Sequence, residues 1–199
     1  MIIKKINAMM AKLSPSQVMV LGFAAIIISG SLLLKLPIAA ANQVPLRYLD
    51  ALFTATSAVC VTGLVVVDTG TALSPFGQSV VLTLIQIGGL GFMTLSATLT
   101  ILMGKRIGLR ERLLIREAYN QFNLAGLVRL VKQVVKVTIL CEGIGALLLA
   151  LRFSQQMPKK QAVLYGIFHS VSAFCNAGFD LFGRIGKHRL HHNLFDDRA

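Results

Sequence analysis

The amino-acid sequence predicts an all-α membrane protein that begins a unit of helix, short helix, loop and helix twice. Two observations point to this fold. The 199 residues are 55% hydrophobic and only 14% charged, with mean hydropathy +0.71, which is too apolar for an ordinary soluble domain of this length. In addition, the octapeptide SAVCVTGL at 57–64 has a near copy, SAFCNAGF, at 172–179, displaced by 115 positions.

Three apolar runs are long enough to cross a bilayer, whose core of about 30 Å needs about 20 helical residues. The runs cover 17–36, 77–103 and about 128–151. Pro37 stops the first helix, and no small-residue cleavage site follows it, so we expect this helix to remain as an anchor. Glu142 lies in mid-span in the third run, where an ionisable group is functional, pairs with a neighbouring helix or snorkels to the interface, and we assign it no role.

The formal net charge of +12 comes from basic residues that alternate with the apolar runs. Lysine and arginine cluster before the first run, between the second and third runs, and at the start of the third. The charged residues between 37 and 103 are few: Arg47, Asp50 and Asp68. This is the positive-inside pattern, which predicts a multi-pass protein of the cell membrane with a cytoplasmic N-terminus. The position of the charges therefore favours membrane lipid over nucleic acid as the partner.

A short apolar segment precedes each octapeptide. Residues 46–58 have helical spacing but are too short and too polar to cross, and Pro158 starts a similar segment before the second octapeptide. Both segments are predicted to be re-entrant. Backbone that is not helical at membrane depth must be buried in protein or line water, because lipid cannot bond its N–H and C=O groups.

Such a loop is suited to a cation. The C-terminal end of each short helix carries a partial negative charge, and the carbonyls that follow can replace a cation's hydration shell. Gly63 and Gly178 occupy matching positions, and glycine lets the backbone turn its carbonyls inward and approach other loops closely. The alternative is that these glycines pack helices or end turns.

Three segments resemble the bacterial Ktr/Trk/HKT superfamily of potassium transporters, and within it the KtrB group of membrane subunits. They are TSAVCVTGL at 56–64, QIGGLGFMTL at 86–95 and HSVSAFCNAGFD at 169–180. The resemblance covers about 1–183. It implies four repeats of outer helix, pore helix, filter and inner helix arranged like the four subunits of a potassium channel, of which about 1.5 are present here.

The resemblance also implies a potassium-binding filter. Its residues are Val59, Cys60, Val61, Thr62 and Gly63 in the first loop and Cys175, Asn176, Ala177 and Gly178 in the second. Relatives with serine at the first filter position tend to pass sodium, so Gly63 favours potassium as the transported ion. No cofactor and no metal other than potassium is expected, and a dependence on sodium stays open.

The predicted organisation has five segments. They are a cytoplasmic N-terminus (1–16), the first full repeat (17–103), a basic cytoplasmic connection (104–127), the second outer helix, pore helix and filter (128–183), and an atypical tail, expected to be disordered (184–199). The resemblance implies a homodimer of the full-length family subunit and a cytoplasmic nucleotide-binding ring of the KtrA type, which contacts 104–127 unless that stretch serves only as a lipid anchor. The nucleotide would bind the ring, because this chain has no glycine-rich phosphate loop after a strand.

The tail supports an alternative hypothesis. After Gly183 the sequence RIGKHRLHHNLFDDRA contains no apolar run, where the family continues with an inner helix. The alternative to ion transport is a non-conducting truncated fragment that associates at most with the membrane or with full-length subunits. The tail histidines could ligate zinc or belong to an unstructured segment. No base or orienting acid accompanies Cys60 or Cys175 in either copy, so we predict that the chain is not an enzyme.

Overall fold

The computed structural model of the chain describes residues 15–91 and 127–183. It contains six α-helices there: α1 (Pro15–Lys35), α2 (Tyr48–Val59), α3 (Thr69–Ala72), α4 (Pro75–Leu90), α5 (Leu127–Phe153) and α6 (Lys159–Phe174). The described residues form no strand, only an isolated antiparallel bridge between Ala40 and Leu73. The predicted all-α fold is therefore confirmed for these residues. The expectations for 1–14, 92–126 and 184–199 lie outside them.

The chain divides into two compact units. One contains Met1–Ile26 and Leu90–Thr138, and its described part consists of the N-terminal portions of α1 and α5 with Leu90 and Gly91. The other contains Ile27–Gly89 and Ile139–Ala199. This second unit holds α2, α3, α6 and both octapeptides, so every contact discussed below lies within it.

Prolines set the ends of the helices as the sequence predicts. Leu36 precedes Pro37 and is extended (ψ 142°), because a proline ring disfavours helical geometry in the residue before it. Pro37 then begins a single 3₁₀ turn, Pro37–Ala39. Pro158 likewise precedes the first residue of α6 with ψ 140°. The predicted stop of α1 and start of α6 are thereby confirmed.

Helix α4 differs from the predicted second span over 77–103. It starts at Pro75, and the Ser74 hydroxyl accepts the Gly77 amide at 3.2 Å, as an N-cap does. It ends at Leu90, because Gly91 has a φ of +77°, outside the helical region and open chiefly to glycine. Residues 92–103 lie outside the described part.

Helix α5 confirms the third predicted run and extends it slightly. Within the described residues, its segment Val131–Phe153 is the one helix whose length and composition suffice to cross a membrane. Shorter apolar helices occur at Met19–Lys35 and Pro75–Leu90. Large apolar side chains of α5 are exposed: Ile139, Leu140, Leu147, Leu148 and Leu151. Such a continuous apolar surface suits a lipid environment.

The two short helices share a buried face of small residues. Helix α2 buries Ala51, Ala55 and Ser57, and α6 buries the residues at the equivalent positions, which are Gly166, Ser170 and Ser172. Small residues let a neighbouring backbone approach closely. Helix α6 in addition buries the aromatic rings of Tyr165 and Phe168.

Candidate functional site

The two octapeptides adopt matching backbone conformations. Helix α2 ends at Val59 and helix α6 at Phe174, which is the same 115-residue displacement as in the sequence. Cys60 and Cys175 follow with φ of −81° and −74°. The next pair, Val61 and Asn176, both have φ of +56°. The internal sequence repeat is thus also a structural repeat.

Three consecutive amides in each loop donate back to the last turn of the preceding helix. In the first loop the bonds join Cys60 N to Thr56 O (2.8 Å), Val61 N to Ala58 O (3.3 Å) and Thr62 N to Ser57 O (3.0 Å). In the second they join Cys175 N to Val171 O (2.9 Å), Asn176 N to Ala173 O (3.0 Å) and Ala177 N to Ser172 O (2.7 Å). The donors of the loops are therefore used locally, and the chain turns sharply at the helix end.

The carbonyl oxygens of the same loops are free. Among the described residues, no group donates a hydrogen bond to the carbonyls of 60–63 or 175–178. Of these eight residues only Ala177 is buried, and the others are exposed or half-buried, so their carbonyls are open to a partner from outside the chain. A cation or water is the natural partner for a set of oxygens without donors.

The two loops meet at their glycines. Gly63 and Gly178 have φ of +71° and +73°, a conformation that other residues rarely adopt. A Cβ atom on Gly63 would lie 2.6 Å from the Ala177 carbonyl oxygen, and one on Gly178 would lie 3.3 Å from the Gly63 Cα. Both the backbone angle and the close approach require glycine in the first loop.

Val59 differs from the other predicted filter residues. It is the last residue of α2, and its carbonyl oxygen lies so close to Gly88 of α4 that a Cβ there would overlap it. The side chain is 1% exposed, whereas Cys60 is exposed and Cys175 is half-buried. Val59 therefore belongs to the contact between α2 and α4, where the helix passes into the loop.

The sequence matches the family model TrkH, described as a cation transport protein, over residues 8–184, which include both loops. This chain belongs to the TrkH family. It is 48% identical over 170 residues to Ktr system potassium uptake protein B of Bacillus subtilis, an alignment that covers 85% of this chain and 38% of the relative. The resemblance to KtrB that the motifs predict is confirmed.

Other relatives agree with this assignment. Potassium/sodium uptake protein NtpJ of Enterococcus hirae is 40% identical over 172 residues, covering 86% of this chain and 38% of the relative. Ktr system potassium uptake protein D of Bacillus subtilis is 41% identical over 180 residues, covering 90% and 40%. This TrkH chain thus spans about two fifths of the length of these relatives. They are named as ion uptake proteins, which confirms that the chain is not an enzyme.

The serines of the two octapeptides stabilise the TrkH loops in different ways. The Ser57 hydroxyl pairs with the Thr62 hydroxyl at 2.9 Å, so the first loop is closed by its own side chains. The Ser172 hydroxyl donates to the Phe179 carbonyl at 2.6 Å, in a buried position. The second loop is therefore linked to the residue that follows its glycine.

Sequence reasoning assigned no role to one residue beside the second loop, His169. Its Nδ1 lies 2.7 Å from the Tyr165 carbonyl, and its Nε2 accepts the Leu181 amide at 3.3 Å. Its place in the motif HSVSAFCNAGFD was visible, but the contact with Leu181 depends on how the chain folds back after the loop. No local pattern indicates it.

In the part of the chain that the structure describes, the remaining candidates do not form a metal site. Within 15–91 and 127–183, no three His, Cys, Asp or Glu side chains lie close enough together to hold a metal ion. The tail histidines lie outside the described residues. The Glu142 carbonyl accepts the Ser170 hydroxyl at 2.7 Å, which links α5 to α6. One carboxylate oxygen of Glu142 is buried without a hydrogen-bond partner among the described residues.

Proposed function

We propose that this chain transports potassium as part of an uptake subunit and supplies two pore loops to its ion path. A potassium ion that has lost its water shell passes between backbone carbonyls, driven by its electrochemical gradient. The observation that carries the proposal is the pair of matching loops whose first three amides are bonded to the preceding helix and whose carbonyls are free. The names of the relatives, which are potassium uptake proteins, support it.

In this proposal the filter comprises the predicted residues whose carbonyls are free. They are Cys60, Val61, Thr62, Gly63, Cys175, Asn176, Ala177 and Gly178. Val59, predicted with them, instead packs its carbonyl against Gly88. Carbonyl rings coordinate potassium in place of water, and the negative ends of α2 and α6 add a favourable field. Because no side-chain charge is needed, the loops can be uncharged, as they are here.

The helices fit a repeated membrane topology. We propose that α1 and α5 are outer helices, α2 and α6 are re-entrant pore helices, and α4 is the inner helix of the first repeat. The exposed apolar side chains of α5 support contact with lipid. The positive-inside pattern supports a multi-pass protein with a cytoplasmic N-terminus.

Further subunits complete the path in this proposal. Potassium filters are rings of four loops, and this chain supplies two, so two more loops of the same kind are required. We propose a homodimer of family subunits, together with a cytoplasmic nucleotide-binding ring that contacts the basic segment 104–127. Potassium is the preferred ion because glycine occupies position 63. The name of the Enterococcus relative makes sodium the competitor to test.

Native cysteines provide the test. In a Cys141→Ser background, which removes the exposed cysteine of α5, an impermeant thiol reagent applied outside the cell should label Cys60 and Cys175. Potassium in the medium should slow labelling more than equal sodium, because the bound ion occupies the adjacent carbonyls. Labelling only from the cytosolic side, or equal protection by both ions, would contradict the proposal.

A second candidate function is association without conduction. Phe174 is 44% exposed, whereas its counterpart Val59 is covered by α4. An open apolar position at the end of a pore helix favours contact with another family subunit. Rubidium uptake in a strain without potassium uptake systems separates the two candidates. If this chain conducts, cells with this chain and a longer family subunit should take up more rubidium than cells with that subunit alone. No increase, with the two proteins co-purifying, supports association.

A further inference from the structure

His169 uses both ring nitrogens on the backbone. Since the Tyr165 carbonyl can only accept, Nδ1 must carry the proton and donate to it at 2.7 Å. Nε2 is then the acceptor, and it receives the Leu181 amide at 3.3 Å. The imidazole is therefore the neutral Nδ1–H form, and it connects the middle of α6 to the chain that emerges from the second loop.

Aromatic rings hold the imidazole in this orientation. The Phe182 ring lies 4.3 Å from it between centroids, tilted by 31°. The rings of Phe153, Tyr165 and Phe168 surround it at 5.8 to 5.9 Å. A ring packed on several sides cannot rotate freely, so its Nε2 stays directed at the Leu181 amide.

The Leu181 backbone also contacts the segment that follows the first loop. Leu181 is 2% exposed, and its carbonyl lies so close to Gly70 of α3 that a Cβ there would overlap it. Two residues later, Gly183 lies against the Asp68 carboxylate, again with no space for a Cβ. Asp68 caps α3 by accepting the Thr71 amide at 2.6 Å. His169 therefore fixes the segment 181–183, which follows the second loop and packs on the first repeat; we call it the exit segment.

The described part of the first repeat (15–91) has no such connection. Its residue at the position of His169 is Thr54, whose hydroxyl donates to the Asp50 carbonyl at 2.8 Å and makes no second bond to a described residue. The residue at the position of Leu181 is Val66, which is 49% exposed. Thr54 and His169 both form a side-chain hydrogen bond to the carbonyl four residues earlier. Only His169 also bonds the exit segment, through its second ring nitrogen.

We propose that His169 is a positioning residue for the second loop: its Nε2 fixes the Leu181 amide and thereby the outer end of the loop. The transport consequence rests on the proposed function. If the carbonyls of 175–178 coordinate potassium, a loosely held exit segment weakens discrimination against sodium. The positioning itself does not depend on which ion is carried.

Two substitutions separate the roles of the two nitrogens. In His169→Gln the side-chain oxygen reaches the place of Nε2 and can accept the Leu181 amide, but the bond to Tyr165 is lost. In His169→Asn the side-chain amide can still donate to the Tyr165 carbonyl, but it does not reach Leu181. His169→Leu removes both bonds. Thr54→Val is the matched control, because it removes the equivalent bond of the first repeat.

Two measurements are made on the purified full chain and in cells. Hydrogen exchange of the Leu181 amide should be roughly 2- to 10-fold faster in the Asn and Leu variants, the factor expected for one hydrogen bond. It should be unchanged in the Gln variant and in Thr54→Val. The second measurement is rubidium uptake under sodium competition with a longer family subunit present. The Asn and Leu variants should discriminate less well against sodium, and the Gln variant and Thr54→Val should be unchanged.

The outcomes are distinct. Equal exchange in all variants, or slow exchange in Asn together with fast exchange in Gln, overturns the positioning role. The expected exchange pattern in a protein that adds no rubidium uptake refutes the proposed function and leaves the positioning role standing. If sodium competes equally well in the Asn and Gln variants although their exchange rates differ, the proposed link between the His169–Leu181 bond and ion selectivity is wrong.

Discussion

The first loop (60–63) and the second loop (175–178) have the same backbone made from different side chains. Their amides return to the same three positions of the preceding helix, and their φ angles agree within a few degrees. Yet valine stands opposite asparagine at the left-handed position, and threonine opposite alanine at the next. The helix-end hydrogen bonds and the glycine, rather than the side chains between them, therefore determine the loop conformation.

The loops differ in what surrounds them. Leu64, after the first glycine, is 60% exposed, whereas Phe179, after the second, is 2% exposed. The first loop is closed by its own Ser57 and Thr62, and the second is connected to its exit segment by Ser172 and His169. The same conformation can thus be stabilised from within or by packing, and mutations should affect the two loops unequally.

The largest difference is expected at the glycines. Gly63→Ala places a Cβ against the Ala177 carbonyl in addition to the left-handed angle, which alone costs about 1–2 kcal/mol. Gly178→Ala has the same angle but no contact closer than 3.3 Å. The midpoint of thermal unfolding in detergent should fall further for Gly63→Ala. A larger fall for Gly178→Ala would mean that the loops do not meet as described.

Gly63→Ser tests ion choice at the same position. The serine should weaken discrimination against sodium, because it displaces the carbonyls of both loops at their contact. Sodium competition against rubidium uptake measures the effect in a longer family member with the same substitution. Unchanged competition would argue against the filter assignment at position 63.

The second largest difference is expected between Ser172 and Ser57, in the stability lost on substitution by alanine. Ser172→Ala leaves the buried Phe179 carbonyl without its donor, and an unsatisfied buried group costs about 1–3 kcal/mol. Ser57→Ala leaves the Thr62 hydroxyl, which is exposed and can bond water, so we expect a loss of at most about 1 kcal/mol. Thermal unfolding of the two single variants compares them directly. Equal losses would contradict the view that packing matters more in the second loop.

The smallest effect on stability is expected from exchanging Val61 and Asn176, the residues with a left-handed backbone, and the two substitutions should have opposite signs. A β-branched residue at φ +56° is an outlier, whereas asparagine tolerates this region. Val61→Asn should therefore stabilise the protein, by about 1 kcal/mol, and Asn176→Val should destabilise it by a similar amount. Unfolding midpoints that move in the same direction for both variants would rule out backbone strain as the cause.

Much of this architecture follows from local patterns in the sequence. Pro37 and Pro158 indicate helix boundaries, and the 115-residue displacement predicts that α2 and α6 end at equivalent residues. Gly63 and Gly178 could be identified because their roles depend on backbone geometry, which a repeated motif preserves. These features need no knowledge of distant contacts.

The other features depend on contacts that no short window contains. Val61 opposes the left-handed angle by its own preference, so only the bonds to the helix end explain its conformation. The tie from His169 to Leu181 requires the chain to reverse between them. The end of α4 at Leu90, before Gly91, was not predicted, since the apolar run continues past it without a change in composition.

The unpaired carbonyls have a consequence for how such loops change over time. A main-chain oxygen is present in every amino acid, so a point mutation cannot delete it. VCVTG and FCNAG can diverge letter by letter while offering the same oxygens, provided that the glycine stays. Among distant homologues, a glycine four residues after the helix end should therefore be conserved more strongly than the residues between them.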